Sequence, residues 1–293
     1  MAPGTVRRLV PRSPGPSAPG PLGPSAVPSV RCDMLHFPVP VSSFPSLTES
    51  SVLAVIPARF QSSRFPGKPL ADLCGRPMIA HVYERARLAR LVDAVVVATD
   101  DERIAAAVRA SGGDAVLTSP AHLTGTDRLA EVAAALPCRI VVNVQGDEPL
   151  IDPAVIDAVL APMLAPGAPA MATACRPVRD RAEFLSPHAV KVVTSAAGNA
   201  LYFSRAPIPA ARDAAGGVPD EARIHVGLYA YRRDVLLRLA ATPPAPLERV
   251  EHLEQLRALD AGDGIRVVET EYYSIGVDTP DDLERVRRLL MSH

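Results

Sequence analysis

From residue 52 onward the sequence alternates short apolar runs with stretches of helical periodicity, and this alternation limits the fold more than any other feature. VLAVI (52–56), VDAVVVAT (92–99), DAVLT (114–118) and RIVVNVQ (139–145) read as apolar throughout, not at every second position. Successive strand residues point to opposite faces, so such runs belong to a sheet covered on both. Helices are expected between them at about 77–91, 101–111 and 125–136. The fold class that follows is α/β, a doubly wound and mostly parallel Rossmann-like sheet. Helix starts carry their own marks: Thr99 with Glu102 in capping-box spacing, Asp152 ahead of Pro153, and Thr279-Pro280-Asp281-Asp282 opening the last helix.

Between about 170 and 232 the texture changes to strand-like AMATAC, AVKVV, ALYFSR and RIHVGLYAY, separated by connections rich in Pro and Gly. This predicts an inserted β-rich subdomain within a single domain of residues 51–293. A helix at about 247–261 follows, after which IRVVET and YYSIGV return the chain to the sheet. No internal repeat is visible. Residues 1–50 differ: they hold 11 of the 31 prolines amid Ser, Gly and Ala, a mixture that buries too little surface to offset the entropy of ordering. Disorder is expected there; the alternative is that translation begins at Met34 and the upstream segment is a start-site extension. Arg7 and Arg8 do not make a targeting peptide, because prolines interrupt any apolar or amphipathic stretch.

With 48% hydrophobic and 22% charged residues the composition is globular, and a net charge of −1 gives no general attraction to nucleic acid or to an anionic membrane. Affinity for a polyanion has to come from a local cluster. No run of 18 apolar residues exists, so membrane insertion is not expected. Cys32, Cys74, Cys138 and Cys175 are far apart with no C-x-x-C, against a zinc site or a disulfide framework; they read as reduced thiols of a cytoplasmic protein.

Ligands of open α/β sheets bind beyond the carboxyl ends of the strands. There the first run is followed by Arg59, Arg64 and Lys68, the second by Thr99 and Asp100, the fourth by Gln145, Gly146, Asp147 and Glu148, and the last by Asp278. Cations at one strand end and carboxylates at others suit a polyphosphate with a divalent metal. The loop FQSSRFPGKPL is not a P-loop, since Pro69 follows Lys68 where a hydroxyl would bind magnesium, so its charge comes from side chains. Two guanidinium groups and one ammonium fit a triphosphate, although a solvated basic loop has the same composition. Only Lys68 and Lys191 among the 31 basic residues are lysines, which marks Lys191 as a second candidate for an active-site or core contact.

Asp147 and Asp278 each precede a helix start and could serve only its positive end. If they meet, their repulsion requires either a shared proton, as in an acid/base dyad, or a hard cation; Mg²⁺ fits the neighbouring basic loop better. His225 and Tyr229, four residues apart on one strand, share a face that is either packed or functional.

IPARFQSSRFPGKPL, GRPMIAHVYERA, VVVATDDERI, LTGTDRLAEV, VVNVQGDEPLI, AVKVV, ALYFSRAPIP, HVGLYAYRRD, LERVEHLEQLRAL and GVDTPDDLERV together make the chain from about Ser51 to Met291 resemble one family. It is the 3-deoxy-manno-octulosonate cytidylyltransferases, or CMP-KDO synthetases, among the CMP-acid-sugar synthetases. The resemblance implies a fold of the nucleotide-diphospho-sugar transferase type. It also implies a Mg²⁺-dependent cytoplasmic homodimer that makes CMP-KDO and pyrophosphate from CTP and the acid sugar KDO for lipopolysaccharide assembly, with the β-rich region at the dimer contact. On matching positions it makes Asp147 and Asp278 the metal ligands. Arg59, Arg64 and Lys68 become triphosphate contacts, Ser62 a further CTP-binding residue, and Thr99, Asp100, Gly125, Thr126 and Arg128 fall in the cytidine segments. Gln145, Arg205, His225, Tyr229, Glu254 and Gln255 match sugar-binding positions, with Arg205 expected on the sugar carboxylate. Phe60 and Ala230 are mild departures, and residues 1–50 have no counterpart. The rivals are a CMP-sialic acid synthetase, whose first loop reads differently, a non-catalytic nucleotide-binding module, which would not need both aspartates and Lys68, and a glycosidase-like dyad, which leaves the basic loop without purpose.

Overall fold

β1 (Val52–Ala58) is an interior strand of the sheet, flanked on both sides by parallel strands and buried along nearly its whole length. Ala54 and Ile56 face one core and Leu53 and Val55 the other, all fully buried. Burying a side chain such as Leu53 or Ile56 contributes roughly 1.5–3 kcal/mol, so neither face can be turned to water. The computed structural model describes residues 1, 44, 46–62, 64–210, 212, 217–273 and 275–292. Most of residues 1–50, including Met34, lies outside the described residues. Phe44 and Leu47 do not share the disorder expected of that segment: both are buried against the second core.

β4 (Ala94–Thr99), β5 (Ala115–Leu117) and β6 (Ile140–Asn143) run parallel to β1, with β4 on one side of it and β6 on the other. The helices between them divide accordingly. α1 (Met78–Arg87) and α2 (Glu102–Ala110) lie on the Ile56 face, whereas α3 (Gly125–Ala135) crosses the Leu53 face to bring the chain to β6. The direction of winding therefore reverses between β1 and β6, and their carboxyl ends leave a crevice.

α4 (Pro153–Leu164) covers the first face, and the chain then enters β7 (Met171–Pro177). After α5 (Arg181–Leu185) come β8 (Lys191–Thr194), β9 (Ala200–Ser204) and β10 (Arg223–Arg232). α6 (Arg233–Ala241), α7 (Pro246–Glu251) and α8 (Gln255–Asp260) precede β11 (Ile265–Glu269) and the terminal α9 (Pro280–Met291). The sheet order is β11-β7-β10-β6-β1-β4-β5, with β8 and β9 branching from β10. β10 is antiparallel to both neighbours, while β7 and β11 are parallel to each other, so the sheet is mostly parallel. Two of the strands expected in the β-rich region, β7 and β10, are thus strands of the central sheet itself. A short hairpin of β2 (Asp72–Leu73) and β3 (Arg76–Pro77) packs with α9 through Leu73, Val277, Leu283 and Val286.

Three local expectations are corrected. α2 is capped by Asp101, whose carboxylate accepts from Arg103 N, while Thr99 Oγ1 accepts from Asp101 N one step earlier. Asp101 stands at the non-helical position and Thr99 is still in the strand, so the Thr99/Glu102 spacing is incidental. The helix expected at 247–261 is broken at His252, whose φ is +52°. YYSIGV does not return to the sheet: its described residues form no strand, and Val277 N donates to Asp147 O at 2.9 Å instead. The caps at Asp152, Thr124 and Thr279 are present, the last two as reciprocal boxes with Asp127 and Asp282.

Candidate active site

The basic loop leaves β1 and returns at Gly67, whose φ of +72° lets a 3₁₀ turn (Lys68–Leu70) begin immediately and aim the Lys68 side chain back over the sheet. Across the crevice, β6 ends in Gln145-Gly146-Asp147. Only glycine fits at 146, since a Cβ would stand 2.6 Å from the Pro57 carbonyl oxygen of β1. The third contributor comes from far along the chain. The Val277 N to Asp147 O bond sets Asp278 beside Asp147, and Asp282 Oδ2 accepts from both Asp278 N (3.1 Å) and Thr279 N (2.9 Å).

These supports bring the two carboxylates to one ammonium. Lys68 Nζ lies 3.0 Å from Asp147 Oδ2 and 3.3 Å from Asp278 Oδ1, and Arg64 Nη2 is 3.1 Å from Asp278 Oδ2. The repulsion expected between the aspartates is offset by the basic loop itself. Arg59, Ser62, Arg64, Lys68, Gln145, Asp147 and Asp278 line one open cleft of about 350 Å³. Arg59 also donates to His122 O at 2.8 Å, tying the loop ahead of α3 to the cradle.

The cytidine-segment residues form a second group behind the first. Arg128 is fully buried; it donates to Thr118 Oγ1 and, at 3.0 Å, to Asp100 Oδ2, while Thr118 is bound to the Thr99 carbonyl. Burial pulls the Arg128 guanidinium below its usual value, and Asp100 opposes this. Thr99 and Arg128 are enclosed, whereas Asp100, Gly125 and Thr126 are partly exposed. Gly125 packs against Pro57, and Thr126 Oγ1 donates to Glu254 Oε2.

The sugar-position residues are joined to the cleft through Gln145, whose Nε2 donates to Gly227 O at 3.0 Å. Gly227 lies in the register shift of β10, where the ladder to β7 skips from Val226 to Tyr229. His225 and Tyr229 do share a face: their ring centroids are 5.2 Å apart, and Phe203 meets His225 edge-on at 5.1 Å. Packing around His225 pushes its imidazolium down to about 3, so the ring is neutral at physiological pH. Thr173 Oγ1 sits 2.7 Å from Leu228 O and 2.9 Å from His225 Nε2. With its single proton given to Leu228, Thr173 accepts from Nε2–H, which leaves Nδ1 as an acceptor. Gln255 is buried beside Thr126, Tyr231 and Glu254, and its Nε2 finds no partner among the described residues.

Arg205 stands apart. Its guanidinium donates to the backbone carbonyls of Glu251 (2.7 Å), Pro187 (3.0 Å) and His252 (3.4 Å), leaving two of five N–H groups for a ligand. The break at His252 presents the Glu251 and His252 carbonyls to it. Lys191 is a core contact: fully buried, its ammonium donates to Ser186 O, Ala189 O and Arg205 O at 2.8, 2.7 and 2.6 Å. Sequence reasoning missed Thr118, Thr173 and Glu251, which hold Arg128, His225 and Arg205. Glu251 lies within the motif LERVEHLEQLRAL, but nothing marks Thr173, a strand residue 52 positions from its partner.

A family model described as cytidylyltransferase matches residues 53–267. The 3-deoxy-manno-octulosonate cytidylyltransferase of Geobacter sulfurreducens is 57% identical over 244 residues, covering 80% of this chain and 98% of that protein. That of Anaeromyxobacter dehalogenans is 58% identical over 241 residues, 82% of this chain and 97% of the relative. Among solved structures, a CMP:2-keto-3-deoxy-manno-octonic acid synthetase complexed with CTP superposes with a TM-score of 0.79 at 47% identity, over 83% of this chain and 99% of that one. The chain therefore belongs to the cytidylyltransferase family and, within it, to the 3-deoxy-manno-octulosonate cytidylyltransferases.

Proposed function

We infer that the chain transfers CMP from CTP to the anomeric hydroxyl of 3-deoxy-manno-octulosonate, releasing pyrophosphate. The observation that carries this reading is the convergence of Lys68, Arg64, Asp147 and Asp278 at the β1/β6 crevice of a chain with such relatives. The sugar hydroxyl attacks the α-phosphorus in line, the new P–O bond forms as the bond to the β-phosphate oxygen breaks, and pyrophosphate departs with the displaced electron pair. Such chemistry needs positioning and charge neutralisation more than a covalent intermediate, and orientation alone can remove ~7–11 kcal/mol of barrier. Arg59 and Lys68 hold the charge that gathers on the leaving pyrophosphate. Asp100 and the start of α3 receive the nucleoside, and Gln145, neutral His225 and Tyr229 orient the sugar, with Arg205 and Glu254 at its edge.

Asp147 and Asp278 fit a hard divalent cation: two oxygen donors reach one point, and no third acid or His joins them among the described residues, so phosphate oxygens and water would complete the shell. Mg²⁺ held there would neutralise phosphate charge and acidify the attacking hydroxyl. The reading also makes the enzyme a cytoplasmic homodimer. Exposed Leu201 on the edge strand β9 and Val250 on α7 supply apolar surface for the contact, and no described helix is long and apolar enough to cross a membrane. Purified protein with CTP and Mg²⁺ is offered KDO or sialic acid and scored for pyrophosphate. Release with KDO alone, lost by two or more orders of magnitude in Asp147→Asn, is expected. Release with sialic acid alone would overturn the substrate, and near-normal turnover of Asp147→Asn the metal assignment.

A further inference from the structure

VVVATDDERI supplies more than Thr99 and Asp100. Arg103, the second residue of α2, folds back on the capping Asp101, with Nε to Oδ1 at 2.9 Å and Nη2 to Oδ2 at 2.6 Å. This two-point pairing holds the guanidinium plane, whose central carbon lies 3.5 Å from the centroid of the Phe60 ring. Phe60 in turn closes the basic loop. Its carbonyl accepts from Gly67 N at 2.9 Å, and its ring lies 3.2 Å from where a Gly67 Cβ would stand. Arg59 and Lys68 are the immediate outer neighbours of this 60/67 pair. The spacing between the two cations is set by a neck, and the guanidinium of Arg103 is stacked on it.

We propose that Arg103 and Phe60 are positioning residues for the nucleotide: their stack fastens the neck of the basic loop to α2, so that Arg59 and Lys68 meet the triphosphate already in place. The inference rests on the reading of Arg59 and Lys68 as triphosphate holders. A guanidinium suits the task because its face can stack on an aromatic ring while its edge keeps its hydrogen bonds, here to Asp101. The Arg103 side chain is largely exposed, so the effect is local to the loop and adds little to global stability.

The test is CTP binding and steady-state kinetics of the full chain carrying Arg103→Ala, Arg103→Lys, Phe60→Leu and the Arg103→Ala/Phe60→Leu pair, with Lys68→Met as reference. Arg103→Ala and Phe60→Leu should each raise the CTP Kd and KM about two- to tenfold while the KM for the sugar stays at its wild-type value, as does the thermal midpoint of Arg103→Ala. The double variant should be no worse than the weaker-binding single, because the two side chains act as one unit. Arg103→Lys should recover part of the loss, since an ammonium keeps the cation–π attraction without the planar stack. CTP affinity of Arg103→Ala within about 1.5-fold of wild type, or penalties that multiply in the double variant, would overturn the clamp. Loss of CTP binding in Lys68→Met with a silent Arg103→Ala removes the clamp alone; intact binding in Lys68→Met removes the cradle on which it rests.

Discussion

Replacing Lys191 by Met removes a charge and three donors while nearly conserving volume. The ammonium is fully buried and its three N–H groups meet three carbonyls, those of Ser186, Ala189 and Arg205. Leaving a buried acceptor unsatisfied costs about 1–3 kcal/mol, so the gross loss is about 3–9 kcal/mol. Relief of the ammonium's own desolvation, itself several kcal/mol, offsets part of this and brings the expected net loss to about 1–4 kcal/mol. Urea unfolding of the full chain, read from the midpoint at unchanged slope, measures it. One of the three acceptors is the Arg205 carbonyl, so the variant should also raise the KM for the sugar more than that for CTP. Lys191→Arg should lose about 1–3 kcal/mol, because a planar fork does not present three N–H groups to carbonyls gathered around one point. A loss below about 1 kcal/mol in Lys191→Met would refute the reasoning, since the carbonyls would then have found other partners.

Gly146→Ala places a methyl 2.6 Å from the Pro57 carbonyl and must move β6 or β1, so a loss of about 1–3 kcal/mol in stability and a turnover reduced about 10–100-fold through displacement of Asp147 are expected from denaturation and kinetics. His225 should show no titration by NMR between pH 5 and 8 and should carry its proton on Nε2. Its folded value of about 3 lies below the ordinary 6.5, so the stability it contributes is full above 6.5 and is lost as pH falls toward 3; His225→Gln should flatten that part of the stability profile. Asp278→Asn should weaken turnover as Asp147→Asn does, while the cap of α9, made by Thr279 and Asp282, keeps the melting temperature near wild type.

Much of the site was legible because chemistry at strand ends does not depend on tertiary detail. Arg59, Lys68, Asp147 and Asp278 were marked by charge placed after apolar runs, and the cleft joins all four. The supports were not legible. Thr173 orients His225 from another strand, Thr118 and Asp100 hold Arg128, and Phe60 with Arg103 closes the basic loop; each depends on a contact between segments that are remote or unmarked in sequence. The break at His252 escaped because a left-handed residue without glycine leaves no compositional trace, and YYSIGV misled because apolar residues in a loop can serve a neighbouring helix. Val277 buries its side chain with Leu283 and Val286 of α9 instead of entering the sheet.

The sequence by itself determined the α/β architecture, the two-faced burial of the central strands and the kinds of charge at their ends, because period and composition are local properties that burial reads directly. Only the tertiary structure decided that Asp278 reaches Asp147, that Lys191 braces a loop instead of meeting a ligand, and that Arg103 stands over Phe60. Those outcomes turn on backbone carbonyls and single hydrogen bonds between segments up to about two hundred residues apart, whose distances no local pattern encodes.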